Sequence, residues 1–158
     1  MKNGSTFFLR FVVIILNIIV LAIAFLGFPL VIKEVSQYYP KLLLYPIVTG
    51  IYLTAIPFYY ALTQVWKLLG LIDKNNAFSQ ESVNALKNIK VSAISIAGVY
   101  TILLPVLYVI AEVDDAPGVL ALPLVVTFAA IVIAVFAAVL QRLLHEAVDI
   151  KSDNDLTI

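Results

Sequence analysis

The side chains that most often carry chemistry are scarce in this sequence and form no catalytic pattern. There is one histidine, His145, and no cysteine, which excludes disulfides, thiolate metal sites and CxxC redox chemistry. His145 has no second ligand or nucleophile near it in the sequence, and we assign it no role. Asp149, Asp153 and Asp155 lack the glycine and glutamate spacing of a calcium loop. The sequence therefore predicts a non-enzymatic protein with no cofactor and no metal.

Composition places the chain in the membrane. Hydrophobic residues make up 63% of the sequence, well above the roughly 45–50% of soluble domains, and the mean hydropathy is +1.05. We therefore expect the lipid bilayer to be its principal surroundings. Ten basic and ten acidic residues cancel, so no net positive field favours direct binding of nucleic acid.

Four long apolar segments alternate with polar ones. They cover residues 7–32, 42–66, 91–111 and 119–144, and each is near or above the roughly 20 residues that cross a bilayer. The prediction is an all-α polytopic membrane protein, a single domain over 1–158 with four transmembrane helices. Two connections are short, whereas residues 67–90, which we call the hub, form a long polar interruption. Residues 145–158 form a polar tail.

Basic residues give the orientation. Only Lys33 and Lys41 lie on the side opposite the hub, and the other basic residues lie on the hub side. Cytoplasmic segments carry the excess of Lys and Arg, so we expect the hub and both termini in the cytoplasm of a bacterial cell. The residues on the hub side are Lys2, Arg10, Lys67, Lys74, Lys87, Lys90, Arg142 and Lys151.

The hub reads as a helical hairpin. A turn-favouring run from Asp73 to Asn76 is followed by Ser79, a good N-cap, so a helix is predicted to begin near Gln80. Phe78 has the spacing to pack on Val83 as a hydrophobic staple. The apolar positions of the new helix, Val83, Leu86 and Ile89, are expected to pack on Trp66, Leu68, Leu69, Leu71 and Ile72.

Polar groups within the apolar segments are mild. No Asp, Glu, Lys or His lies in the central part of any segment, which argues against proton-coupled transporters and ion pumps. Asn17 is the most polar of these residues, and it is predicted either to make an interhelical hydrogen bond or to contact a ligand.

Prolines and tyrosines gather in the halves of the segments away from the hub. Pro29, Pro46, Pro105 and Pro123 each remove a backbone hydrogen bond, so these halves are expected to be kinked or splayed. Two interpretations stay open, an outer pocket open to the outside or the outer leaflet, and an ordinary interfacial aromatic belt. The residues concerned are Tyr38, Tyr39, Tyr45, Tyr52 and Tyr108.

The hub and the tail carry a resemblance to a known family. The stretch LLGLIDKNNAFSQESVNALKNIK and the ending SDNDLTI resemble an uncharacterised family of small four-span bacterial membrane proteins. Genes of that family commonly neighbour one for a small helix-turn-helix regulator of the XRE type. The resemblance therefore implies a membrane-anchored regulator that binds a cytoplasmic DNA-binding partner, which is an analogy from the family.

Two surfaces are candidates for that partner, the hub and the tail. The sequence supports two interpretations of Phe78 equally, a structural staple residue and a partner contact. The competing functions are a small-molecule or lipid carrier or channel, for which a homo-oligomer stays open because four spans make a thin pore, and a membrane immunity or tolerance protein. The predicted partner-binding residues are Lys74, Asn75, Asn76, Phe78, Ser79, Glu81, Asp153, Asn154, Asp155, Leu156, Thr157 and Ile158.

Overall fold

The computed structural model describes the backbone of residues 2–156 and the side chains of residues 4–156, and within this range every regular element is helical. Four helices are long and apolar enough to cross a membrane, which confirms the predicted all-α class. They span Gly4–Val35, Lys41–Asp73, Gln80–Val113 and Gly118–Leu156, and the four apolar segments lie inside them. We call the end of the bundle that carries the hub the hub end, and the opposite end the far end.

The first span consists of α1 (Lys2–Ala22), a π-helical turn (Ile23–Gly27) and α2 (Phe28–Val35). The π turn has a cause in the sequence, because Pro29 has no N–H to donate. Phe28 donates its N–H to the carbonyl of Ile23, which leaves the carbonyl of Ala24 without its α-helical partner. The Tyr52 hydroxyl of the second span donates to this carbonyl at 3.0 Å, and the Tyr52 ring packs edge-on against Phe28 at 5.3 Å.

The second span is interrupted once, between α3 (Lys41–Leu53) and α4 (Ala55–Asp73). Pro57 cannot donate to the carbonyl of Leu53, and the helix is interrupted at Thr54, the residue between α3 and α4. The Thr54 hydroxyl donates to the carbonyl of Ile51 at 2.6 Å and satisfies one of the acceptors there. Two of the four spans are thus irregular near a proline.

The other prolines do not interrupt their helices. Pro46 lies inside α3, Pro105 inside α5 (Gln80–Val113) and Pro123 inside α6 (Gly118–Leu156). The helices are therefore continuous through these three prolines, and the predicted kinks stay a prediction there. Hydroxyls bond to carbonyls near the prolines, Thr101 to Ala97 at 2.7 Å and Thr127 to Pro123 at 2.8 Å.

The tightest packing joins α5 and α6 along small residues. Ala93 and Ala97 of α5 and Ala130, Ala134 and Ala137 of α6 are all buried. Small side chains let two helix backbones approach closely. This close packing drives helix association in a bilayer, where lipid tails are as apolar as the side chains and the hydrophobic effect does not favour association. The α5–α6 pair is accordingly the structural centre of the molecule.

The second span packs on α5 at the far end. Ile47 lies in one buried cluster with Leu103, Leu107 and Ile110. Gly50 lets the two helices meet there, because a Cβ at its position would lie 2.7 Å from Leu103 Cδ1 and the Leu103 side chain would have to shift. The first span differs from the rest, since none of its most apolar window is buried within the protein. It lies against the second span as an outer helix.

Candidate functional site

The hub turn, residues 74–79, is held by a Schellman motif at its α4 side. Asn75 adopts a left-handed conformation with φ of 56°. The N–H of Asn76 bonds to the carbonyl of Leu71 at 2.8 Å, and that of Asn75 bonds to Ile72 at 3.1 Å. Asparagine tolerates this conformation better than most residues, so the sequence run identified as a turn ends α4 with its last carbonyls satisfied.

At its α5 side the turn is capped as predicted. Ser79 is extended, its hydroxyl oxygen accepts the N–H of Ser82 at 3.3 Å, and its hydroxyl donates to the carbonyl of Asn76 at 2.8 Å. Ser82 is fully buried and lies 3.3 Å from Ser79 through the two hydroxyl oxygens. The turn is therefore fixed at both ends. The Ser79 hydroxyl has a structural role, because the turn uses it both as an acceptor and as a donor.

The other residues predicted in the hub point mostly outward. Lys74, Asn75, Asn76 and Glu81 are exposed, and Glu81 lies in the first turn of α5. Phe78 is 57% exposed and lines an apolar groove of about 340 Å³. We call it the apolar groove, and its lining residues are Leu68, Ile72, Ala77, Phe78, Leu86, Leu140, Leu143, Leu144 and Ala147.

The packing expected between the two arms of the hub is only partly present. Val83 and Leu86 of α5 are buried, as are Leu69 and Leu71 of α4. An amide hydrogen bond from Asn88 to Gln64, 3.1 Å long, also joins the arms. Trp66 was expected in this contact as well, but it faces the first span instead.

Trp66 belongs to a polar cluster that ties the hub to the first span. Arg10 lies with its guanidinium carbon 4.6 Å from the centre of the Trp66 ring, within the range of a cation–π contact. Arg10 Nη2 also contacts Asp73 Oδ2 at 3.1 Å, and the Thr6 hydroxyl donates to Asp73 Oδ1 at 2.5 Å. We call Thr6, Arg10, Trp66 and Asp73 the clamp.

The clamp lies where α4 ends and the hub turn begins. The side chains of Arg10 and Asp73 are 28% and 30% exposed, so water screens their interaction only in part. Gly70 lies beside Arg10, and a Cβ there would be in ordinary van der Waals contact with Arg10 Nη2, at 3.6 Å. Sequence reasoning counted Arg10 only toward orientation. A lone arginine in one apolar helix and a lone aspartate at the end of the next were the signal that was missed.

The polar tail is helical and largely exposed over its described residues. α6 continues without interruption through Leu156, so Asp153, Asn154, Asp155 and Leu156 lie on exposed helix. Ala147 is level with the hub turn, and the helix beyond it projects by roughly 13 Å at 1.5 Å per residue. The hub and tail residues thus share one end of the molecule at different heights. Thr157 and Ile158 lie outside the described residues.

The five tyrosines of the outer-pocket hypothesis are spread over several surfaces. Tyr38 and Tyr39 line a surface groove with Glu34 and Asp114, and Tyr45 lines another beside Pro46. Tyr108 donates to Glu112 at 3.1 Å along its own helix, and Tyr52 bonds to Ala24. Of the two interpretations, the pocket has its structural support at Tyr52.

Tyr52 lines a cleft of about 390 Å³ to which all four spans contribute. The π turn, the interruption at Thr54 and the ring of Phe28 form part of its wall. The lining is almost wholly apolar, so the cleft suits a hydrocarbon group rather than a charged one. Its full lining is Val20, Ile23, Ala24, Phe28, Ile51, Tyr52, Thr54, Ala55, Phe58, Ile96, Tyr100 and Val126.

Three polar side-chain atoms are buried without a hydrogen-bond partner in the part of the chain that the structure describes. One is Arg10 Nε of the clamp, and the others are Asn17 Oδ1 and the Tyr59 hydroxyl. Asn17 lies seven residues from Arg10, and Tyr59 lies seven from Trp66, so helical spacing puts each in line with the clamp. The predicted interhelical hydrogen bond of Asn17 is therefore wrong for its carbonyl oxygen.

The two ion pairs of α6 each lie within that helix. His145 lies 3.6 Å from Asp149 and Arg142 lies 3.7 Å from Glu146, each one helical turn apart on the exposed surface of α6. Among residues 2–156, no group of three or more His, Cys, Asp or Glu is placed to hold a metal ion.

These features define an integral membrane protein of four helical spans with a capped hairpin at one end. The chain belongs to the family described as a protein of unknown function, DUF2975, whose model matches residues 30–158. The uncharacterized membrane protein YoaS of Bacillus subtilis (strain 168) is 49% identical over 160 residues, covering 100% of both chains. No solved structure matches the chain. The resemblance inferred from the hub and tail is confirmed as to family.

Proposed function

We propose that this integral membrane protein is a membrane-anchored regulator that binds a small cytoplasmic helix-turn-helix protein through the hub turn and the end of α6. The observation that carries the proposal is the clamp. It connects the exposed hub to the one span whose apolar surface is not buried within the protein. A movement of the first span would therefore act directly on Asp73, the last residue of α4 before the hub turn.

The hub turn has the properties of a preformed binding surface. Its backbone is fixed by the Schellman motif and by the Ser79 cap, while Lys74, Asn76 and Glu81 remain exposed. A partner that meets a fixed turn loses less conformational entropy on binding than one that must order a loop. The excess of basic residues on this side supports its placement in the cytoplasm.

The first span has a reason to move. Asn17 Oδ1 and the Tyr59 hydroxyl are buried without partners in the described structure, and unpaired polar atoms are costly in the membrane interior. A shift of the first span that pairs them would release this cost. The same shift would alter the clamp, because Arg10 and Asn17 lie on one helix. A signal in the cleft beside Tyr52 would then change the hub. A switch from 1:99 to 99:1 requires a preference of roughly 5.5 kcal/mol between states.

The test is an affinity pull-down of the tagged, detergent-solubilised protein from its native host. We expect recovery of a small helix-turn-helix protein, and loss of it from the Lys74→Ala/Glu81→Ala variant and from a chain lacking residues 153–158. Lys33→Ala/Lys41→Ala at the far end is the matched control and should retain the partner. Recovery of no such protein from a folded preparation, or equal recovery from every variant, would contradict the proposal.

The orientation has its own test. The natural chain has no cysteine, so single cysteines at exposed positions can be labelled without background. A membrane-impermeant thiol reagent applied to intact cells should label Lys41→Cys at the far end and leave Lys74→Cys unlabelled. Labelling of Lys74→Cys in intact cells would place the hub outside the cell and refute a cytoplasmic partner.

The cleft favours a second candidate function, a carrier or binding protein for an apolar small molecule or lipid. Its volume of about 390 Å³ lies within the range of small-molecule sites. Ala55→Phe should fill it, while Ile56→Phe, at an exposed neighbouring position, should not. Loss of binding of a hydrophobic fluorophore in Ala55→Phe, with binding retained in Ile56→Phe, would support this candidate.

A further inference from the structure

A second groove lies at the hub end, on the opposite side of α6 from the apolar groove. Residues one helical turn apart on α5, Lys87 and Lys90, form one wall, and Arg142 and His145 of α6 form the other. The groove has a volume of about 400 Å³. We call it the basic groove. Its remaining lining residues are Gln80, Val83, Asn84, Ala138 and Gln141.

The positive charge of this groove is only partly neutralised by the protein. Arg142 is 3.7 Å from Glu146 and His145 is 3.6 Å from Asp149, but all four side chains are more than half exposed, so these pairs are weak. Lys87 and Lys90 make no ion pair or hydrogen bond with any described residue. Like charges one turn apart repel mildly, so an anion between them would be favourable.

The depth of the groove indicates the source of the anion. The apolar part of α5 begins at Val91, one residue after Lys90, and the apolar run of residues 128–140 in α6 ends one residue before Gln141 and two before Arg142. The charged walls therefore begin where the hydrocarbon layer ends, which is the level of phospholipid headgroups. Ala138, one turn of α6 nearer the hydrocarbon layer than Arg142, gives an acyl chain an apolar surface beside the charges.

From these observations we infer that the basic groove binds the phosphate-bearing headgroup of an anionic phospholipid. Lys87 and Lys90 supply positive charge to the phosphate, and Arg142 adds its planar guanidinium. The amides of Gln141 and Asn84 donate to the remaining headgroup oxygens. An acidic peptide is the less favoured occupant, because the groove lies at headgroup depth. The site does not depend on the proposed regulatory partner.

The test measures lipid retention by native mass spectrometry of the full chain released from micelles. Equal concentrations of phosphatidylglycerol, phosphatidylcholine and free glycerol phosphate are compared. We expect the protein to retain phosphatidylglycerol preferentially. Lys87→Gln/Lys90→Gln should reduce its occupancy by about tenfold to thirtyfold, since each basic residue near a membrane contributes on the order of fivefold. Lys87→Arg/Lys90→Arg should retain it.

The matched control is Lys67→Gln/Lys74→Gln, which removes the same charge from the same end outside the groove. It should leave the occupancy nearly unchanged. An equal loss in both glutamine variants would assign binding to general surface charge and overturn the site. Equal retention of phosphatidylcholine, or no loss in the groove variant, would do the same. If free glycerol phosphate binds more strongly than phosphatidylglycerol, the groove binds a soluble ligand and not a lipid. The same conclusion would follow if a glutamate-rich peptide displaced the bound lipid at a lower concentration than the lipid.

Discussion

The α5–α6 pair and the first span are held in the molecule by opposite means. Ala97 and Ala134 are buried where α5 and α6 meet, and small side chains of this kind permit close packing over a long contact. The first span buries little apolar surface and is attached through the clamp and through Tyr52. Close packing has one favourable arrangement, whereas a few discrete polar contacts can be exchanged. The comparison indicates which helices form the frame and which one can change position.

The largest effect should come from crowding the α5–α6 interface. Ala134→Phe places a ring where a methyl group is 8% exposed, and overpacking of this kind costs roughly 1–3 kcal/mol or more. We expect a marked loss of stability in reversible unfolding by sodium dodecyl sulfate in mixed micelles. Val135→Phe adds a ring at a 56% exposed neighbouring position and should change little. Equal tolerance of both variants would mean that α5 and α6 do not form the frame.

Breaking the clamp should release the first span without unfolding the frame. Arg10→Ala removes a partly buried ion pair and a cation–π contact, and we expect a cost of about 1–2 kcal/mol, confined to the first span.

A pair of spin labels measures this release. Phe8→Cys and Leu143→Cys provide one exposed site on the first span and one on α6. The distance distribution should broaden in Arg10→Ala and in Asp73→Asn, with no further broadening in the double variant. Lys67→Ala is the control. Unchanged distances in both clamp variants would show that other contacts position the first span.

A smaller effect is expected at the other attachment. Tyr52→Phe removes the hydrogen bond to the Ala24 carbonyl and keeps the ring contact with Phe28. The expected cost is about 0.6 kcal/mol, the average for such bonds between membrane helices. Tyr45→Phe is the control, because Tyr45 is 61% exposed and its hydroxyl has no bond within residues 2–156. If the two variants unfold alike, Tyr52 does not tie the spans together.

The smallest effect concerns the connection between α5 and α6. Asp115 has a φ of 50°, a conformation that glycine adopts without strain. Asp115→Gly should stabilise the protein by less than about 1 kcal/mol, because relief of strain is partly offset by the freedom of glycine in the unfolded chain. Asp114→Gly, at a residue with ordinary helical geometry, should destabilise it. An increase in stability in both variants would show that the φ angle of Asp115 is not the cause.

The sequence predicted those features that depend on neighbours along the chain. Hydropathy located the four helices, and the position of Ser79 located the start of α5. The clamp could not be predicted from the sequence, because Arg10 and Asp73 lie 63 residues apart and only the register of two helices brings them together. The sequence could not tell which tyrosines lie together, since spans that are apolar all round do not reveal which side faces a neighbour.

The tail shows a different limit. Its polar composition gave no reason to extend α6, yet a helix already formed grows at one hydrogen bond per residue without a second nucleation cost. The basic groove was missed for a related reason. Lys87, Lys90 and Arg142 were used only as a charge count, and the approach of α5 to α6 makes them neighbours in space.

The clamp also bears on how the protein is made. Arg10 enters the membrane early in synthesis, and its carboxylate partner, Asp73, is made 63 residues later, at the end of the second span. Until then the arginine must remain near the lipid headgroups, where its charge is hydrated. Arrival of Asp73 then permits the first span to settle at its final depth. The first span should lie at a shallower depth in the membrane in a ribosome-arrested chain that ends before Asp73 than in one that ends after it. The final depth of this helix would then be set during translation.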